Sequence, residues 1–305
     1  MNSTALPHDI SVAAFDALHD EPSAWRDVVL SIAARHSPEP VQQMQDGTVL
    51  VALVGSRLVV KLYPPFLRDH FNFECAALQA LAGHLSVPTP ELLATGERAG
   101  WPYLVMSQLP GAGLVQVWPT LTPAQQCRLL SSLGALAASV HALPAAALKP
   151  HSPSWPEFIT QQRQGCAARQ QRTGLPVHLL QQLELFLQGE IPAGPEVILT
   201  GEYTPMNLLA QNDKLVGMFD FGDGLLGPRE YDWLGPLAFL AAGSATRCQA
   251  FFEGLGVLPD VAQRQALMRL LLLHRYSNLP AQLACPGWQQ APTFEALTAL
   301  VWPTV

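Results

Sequence analysis

Charge is scarce in this 305-residue chain: Asp, Glu, Lys and Arg make up 13% of it, and only Lys61, Lys149 and Lys214 are lysines. With a net charge of −7 and no run of basic residues, it lacks the clustered cations that supply most nucleic-acid affinity. DNA and RNA are therefore not expected partners. No apolar run approaches the roughly 20 residues that a membrane-spanning helix needs. The opening MNSTALPHDISVAAFDALHD is acidic where a signal peptide would be cationic. A cytoplasmic protein with no membrane partner is expected.

Cysteines at metal or redox spacing are missing too. Cys75, Cys127, Cys166, Cys248 and Cys285 are odd in number, far apart and never in a CxxC pattern. They read as reduced packing residues. The histidines form no HExxH and no cluster at zinc spacing, so no structural zinc is expected. The chain has neither a GxSxG elbow nor a GxxxxGK phosphate loop, which excludes two common routes to hydrolase and nucleotide chemistry. A repeat at a period of roughly 20 to 50 residues is also absent, so the chain is no solenoid.

What is present is a chain that is 49% hydrophobic and long enough to bury a large core. Its acids gather in VILTGEYTPMNLLAQNDKLVGMFDFGDG, residues 197–224, where Glu202, Asp213, Asp220 and Asp223 accompany Asn207. Any one of these acids could cap a helix or turn. That account leaves the spacing of the whole set with Asn207 unexplained.

Apolar spacing predicts helices across 9–36, broken at DEPS, and then two strands in TVLVALVGSRLVVKLYPP joined by a two-residue turn at Gly55 and Ser56. A helix over 66–81 and two further strands around a polar turn complete a small mixed region. Long helices are predicted beyond Gly111, near 122–142, 155–171, 175–189, 229–240, 245–255 and 260–277. Only EVILTG, MNLLAQ and KLVGMFDF interrupt them as short strands, the last two joined at Asn212 and Asp213.

A site for a nucleoside triphosphate without a phosphate loop needs a cation, two oxygen ligands for Mg2+ and an acceptor for the substrate proton. Asn207 follows Glu202 by five residues, and Asp220 follows Asn207 by thirteen across a predicted hairpin that folds them towards one end. Lys61 sits in an apolar strand thirteen residues ahead of Glu74. By itself it could be a snorkelling edge residue; with the acids downstream it reads as half of an ion pair.

The pieces VVKLYPP, FNFECAALQAL, PYLVMSQLPG, LGALAASVHAL, LTGEYTPMNLL and MFDFGDGLLGPREYDWLGPLAFL stand in one order between about residues 45 and 240. In that order the chain resembles the aminoglycoside phosphotransferase and choline kinase-like family. The resemblance implies an α+β, two-lobed protein-kinase-like fold: a helical extension at 1–40, a β-rich nucleotide-binding lobe at 41–109 and a mainly helical lobe at 110–305. It also implies that Lys61 contacts the α and β phosphates and pairs with Glu74, and that adenine lies against Met106, Ser107 and Gln108. Asn207 and Asp220 would hold Mg2+, Glu202 would serve as the catalytic acid-base group, and Tyr231 and Asp232 would brace the catalytic loop. His141 matches a family histidine and reads as a packed residue.

The chain departs from the family's HGDxHPxN loop, because Thr200 and Thr204 replace histidines and Glu202 replaces the catalytic aspartate. A carboxylate one methylene further out predicts slower transfer, since misplacement by about 1 Å costs on the order of 100-fold where geometry is tight. The glycine-rich loop is reduced to Gly47. Two readings follow. One is a small-molecule kinase that moves the γ-phosphate of ATP or GTP, with Mg2+, to a hydroxyl acceptor, with Asp223 and Glu230 drawing a cationic one. The other is a pseudokinase-type module that binds a nucleotide or protein partner through 111–118 and the N-terminal helices. The acceptor, the choice between ATP and GTP, and the oligomeric state have no sequence signal.

Overall fold

The computed structural model describes residues 6–21, 23–45, 47–201 and 203–304. Helices α1 (Val12–His19) and α2 (Ser23–Ala33) precede a sheet formed by β1 (Val41–Gln45), β2 (Leu50–Val54), β3 (Leu58–Leu62), β4 (Leu92–Arg98) and β5 (Trp101–Ser107). Between β3 and β4 runs α3 (Arg68–Leu81). The strands pair antiparallel in the order β1-β2-β3-β5-β4. Side chains alternate across a strand, so β3 sends Val60 and Leu62 to one face and Val59 and Lys61 to the other.

The two faces have different covers. Val60, Leu62, Leu50, Ala52 and Val105 form one core with Phe15, Trp25, Val29 and Ile32 of the N-terminal helices. On the opposite face, Val59, Leu104 and Met106 join Phe73, Ala77, Leu78 and Leu81 of α3 in a core that continues into the helical lobe. The N-terminal helices thus close the back of the sheet and leave its other face to the interlobe cleft. Burial follows position: β5, paired on both sides, is buried along nearly all its length, and the edge strand β4 alternates half-buried and exposed residues.

The β2–β3 turn differs from the two-residue expectation. Val54 pairs with Leu58, so three residues turn the chain. Gly55 has φ +56, and a Cβ there would collide with Glu39, so only glycine fits.

The second lobe begins with β6 (Ala112–Gly113), α4 (Leu114–Val117), α5 (Pro123–His141), α6 (Trp155–Thr173) and α7 (Val177–Leu187). Then come β7 (Val197–Leu199), β8 (Leu208–Gln211), β9 (Lys214–Met218) and β10 (Leu225–Gly227), followed by α8 (Leu234–Pro236), α9 (Ala245–Leu255), α10 (Val261–Leu273), α11 (Leu279–Gln282) and α12 (Phe294–Val301). The hairpin predicted from MNLLAQ and KLVGMFDF is present as β8–β9, with Asn212 in the left-handed region at its turn.

Two predicted helices are shorter or broken. The stretch 229–240 is a 3-10 turn, the short α8 and a wide π-type turn at Leu237–Ala241. Pro236 interrupts it, because proline offers no backbone N–H to a regular ladder. The last helix of the 260–277 prediction stops at Leu273, where His274 turns extended with ψ 140.

Candidate active site

The cleft between the lobes encloses about 570 Å³ and is lined by Lys61, Glu74, Met106, Asn207 and Asp220 among others. Lys61 enters from near the end of β3 and Glu74 from α3. Lys61 Nζ lies 2.6 Å from Glu74 Oε1 and 2.7 Å from Asp220 Oδ1. Burial opposes charge on this ammonium, but the two carboxylates outweigh it and raise its pKa above the usual lysine value. Burial raises the Glu74 carboxyl, with the Lys61 ammonium opposing. The ion pair predicted between Lys61 and Glu74 is therefore formed, and the predicted metal ligand Asp220 shares its cation.

The opposite wall is built by the hairpin. Leu208 pairs with Met218, and the Phe219 amide donates to Asn207 O at 3.1 Å, which sets Asn207 beside the segment carrying Asp220. Asp220 has φ +69, an uncommon conformation for a residue with a side chain. Such strain, where the fold holds it, is found at functional sites. Asn207 and Asp220 both line the cleft. Their oxygens are the hard donors that Mg2+ takes when it keeps waters and phosphate oxygens for its remaining positions. This donor set fits Mg2+.

Behind the wall, Asp232 accepts from the Thr200 amide at 3.1 Å and the Gly201 amide at 3.2 Å, and it lies 3.0 Å from His141 Nε2. The Asp232 side chain is fully buried and that of His141 is 6% exposed; Asp232 holds the loop amides, and His141, expected as a packed residue, is its side-chain partner. Tyr231 packs against Trp155 and Phe158, and its hydroxyl accepts from the Arg275 amide. Glu202 lies outside the described residues.

The remaining predicted positions divide. Gly47, Met106, Ser107 and Gln108 all line the cleft. A Cβ at Gly47 would meet nothing closer than 3.5 Å, so the protein's own packing does not require glycine there. The Ser107 amide donates to Glu91 O and the Gln108 amide to Arg57 O, so these two N–H groups are committed inside the protein. Gln108 Oε1, by contrast, is buried without a hydrogen-bond partner.

Three of the four clustered acids, Asp213, Asp220 and Asp223, lie in different surroundings. Asp213 turns outward to Arg128, 2.7 Å away. Asp223 lies by the cleft but accepts from Tyr276 Oη at 2.7 Å and from Arg275 at 3.4 Å, with His70 Nδ1 at 3.3 Å. Burial alone would raise its carboxyl; these partners hold it below the usual value. Glu230 contacts Arg229 and lines a separate cavity beside Trp233. The expectation that Asp223 and Glu230 together draw a cationic acceptor is corrected: one is already compensated and the other lies away from the cleft.

Sequence reasoning missed Tyr63, whose hydroxyl donates to Glu74 Oε2. Its position two residues after Lys61 on an alternating strand was the available signal. It also missed His70, Arg275 and Tyr276, which no local pattern ties to Asp223.

Residues 39–267 match the family model described as Phosphotransferase enzyme family. No curated protein matches the chain. Among solved structures, it is similar to the GDP complex of wild-type aminoglycoside 2'-phosphotransferase-IIIa, with TM-score 0.65 and 18% identity over 81% of this chain and 87% of that one. It is also similar to the streptomycin–ATP–APH(2")-IIa ternary complex, with TM-score 0.60 and 14% identity over 82% and 90% of the two chains. A third is macrolide 2'-phosphotransferase MphH from Brachybacterium faecium, with TM-score 0.60 and 22% identity over 92% and 99%. At these identities the likeness is one of fold, the two-lobed protein-kinase-like fold.

Proposed function

The chain belongs to the phosphotransferase enzyme family, and from that premise we propose that it transfers the γ-phosphate of ATP or GTP to a hydroxyl of a small-molecule acceptor. The observation that carries this reading is the meeting of Lys61, Asn207 and Asp220 on the walls of one cleft. Solved structures of the same fold in complex with GDP, ADP and ATP support a nucleotide in this place.

On this reading residues 41–109 form the nucleotide lobe, 110–305 carry the catalytic loop and acceptor site, and 1–40 form the N-terminal extension, whose helices α1 and α2 pack on the sheet. Lys61, held by Glu74, binds the α and β phosphates in place of Asp220. The base lies against Met106, Ser107 and Gln108, where Gln108 Oε1 can accept from a nucleobase N–H, and Gly47 lies over the phosphates. Mg2+ would be held by Asn207 and Asp220, and supplies neutralisation of phosphate charge. Asp232 keeps the loop at Thr200 and Gly201 in place. Glu202 accepts the proton of the acceptor hydroxyl as its oxygen bonds to the γ-phosphorus and the bond to the β-phosphate oxygen breaks, releasing the nucleoside diphosphate. Positioning and electrostatics dominate such transfers, so a glutamate at this position supports turnover. No helix among the described residues is long and apolar enough to cross a membrane, and a cytoplasmic enzyme is our reading.

Calorimetric titration with ATP and GTP, with and without Mg2+, tests the site before any acceptor is known. Metal-dependent binding that disappears in Asp220→Ala is expected. Retained metal-dependent affinity in that variant would remove Asp220 from the metal site, and no binding by the wild type would favour the pseudokinase-type module. Glu202→Ala should keep binding and lose transfer once an acceptor is found.

A further inference from the structure

Glu74 is held by more than its ion pair. Residues two apart on a strand leave it on the same side, so Lys61 and Tyr63 both point from the β3 end towards α3. There Phe71 and Glu74, three apart, share one helix face. The Tyr63 ring meets Phe71 edge-on with centroids 5.5 Å apart, and its hydroxyl donates to Glu74 Oε2. Lys61 takes the other oxygen, Oε1, at 2.6 Å. On a third side stands Gly222, where an added Cβ would lie only 3.3 Å from Glu74 Oε2. Tyr63 and Glu74 are each 1% exposed.

Resting on the nucleotide reading above, we propose that Tyr63 is a positioning residue. By fixing Glu74 Oε2, it keeps Oε1 on Lys61 while an incoming phosphate oxygen displaces Asp220 from the same ammonium. Lys61 is shared almost equally, at 2.6 Å to Glu74 and 2.7 Å to Asp220, so bond length does not decide which carboxylate yields. Anchoring decides it. Asp220 is 45% exposed, and water can take the place of Lys61. Glu74 has no such replacement, and a buried carboxylate oxygen that loses its donor is costly. Without the Tyr63 hydroxyl, the carboxylate would rotate to place both oxygens on Lys61 and draw the ammonium away from the phosphate.

A double-mutant cycle read by calorimetric titration with MgATP tests this role. Tyr63→Phe keeps the ring and its contact with Phe71, and should weaken nucleotide binding about tenfold, the order expected for one hydrogen bond to a charged group. In a Glu74→Ala background the same substitution should cause no further loss, because its effect runs through Glu74. Phe71→Leu, which removes the ring contact and leaves the hydroxyl, should bind like the wild type. Equal losses from Tyr63→Phe in both backgrounds, or an equal loss from Phe71→Leu, would overturn the role and leave Tyr63 as packing. Unchanged affinity in Tyr63→Phe beside a wild type that binds would overturn the positioning role alone. A wild type that binds no nucleotide would overturn it together with the reading it rests on.

Discussion

On the sheet side of the cleft, Lys61 and Glu74 project from the interior of a strand and a helix and are 4% and 1% exposed; on the facing side, Asp220 projects from a loop and is 45% exposed. All three are ionisable, and Lys61 touches both carboxylates. Regular elements with cores on both sides hold the first pair in one geometry, whereas water can replace any partner that Asp220 loses. The fold thus builds one fixed half of the charge cluster and one exchangeable half. That division suits the proposed exchange of Asp220 for phosphate on Lys61.

The contrast is most sharply tested by breaking each half in turn. Lys61→Met leaves Glu74 buried without its counter-charge and should cost about 3–5 kcal/mol of stability in urea denaturation. Asp220→Asn, on the exposed half, should cost less than about 1 kcal/mol. Equal losses would show that the two walls are not different in kind.

A second test concerns the brace behind the exchangeable wall. His274 is buried, stacks on Tyr231 with centroids 4.6 Å apart, and accepts from the Tyr276 amide at Nδ1. Burial foremost, then the nearby Arg275 charge, pull its pKa from 6.5 down to about 3. The unfolded chain therefore binds a proton that the folded one refuses between those values, and stability must fall as pH drops through that window. The slope should reach about 1.4 kcal/mol per pH unit. In His274→Gln this component of the slope should vanish, as chemical denaturation at pH 7 and pH 5 would reveal. An unchanged slope would show that His274 is protonated in the fold. The smallest effect is expected far from both walls: Arg128→Ala breaks the exposed contact with Asp213, and the melting temperature should not move.

Much of this was legible locally. The apolar run RLVVKLYPP placed Lys61 within a strand, and the turn-prone Asn212 and Asp213 located the hairpin that sets Asn207 beside the segment of Asp220. The unread parts were those where a local pattern competes with something distant. Residues 229–240 have helical spacing, yet Pro236 and the packing around Tyr231 break them into short turns. Helix α12 lies in a stretch where no motif was read, and its Phe294 stacks on Phe186 from α7. The carboxylates looked like one group because they are close in sequence. Arg128, Lys61 and Arg275 sort them into three environments.

The amino-acid sequence by itself determined the order of elements, the two-lobed division and the kinds of side chain available for chemistry. Periodicity, turn residues and motif spacing act between near neighbours and can be read along the chain. Only the tertiary structure decided which acid shares Lys61, which is compensated by Arg275 and Tyr276, and which points away to Arg128. Lys61 meets Asp220 across 159 residues, and Asp223 finds Arg275 across 52. Whether a carboxylate is available depends on its burial and its counter-charges, and both are set by chain segments that meet only when the lobes are folded.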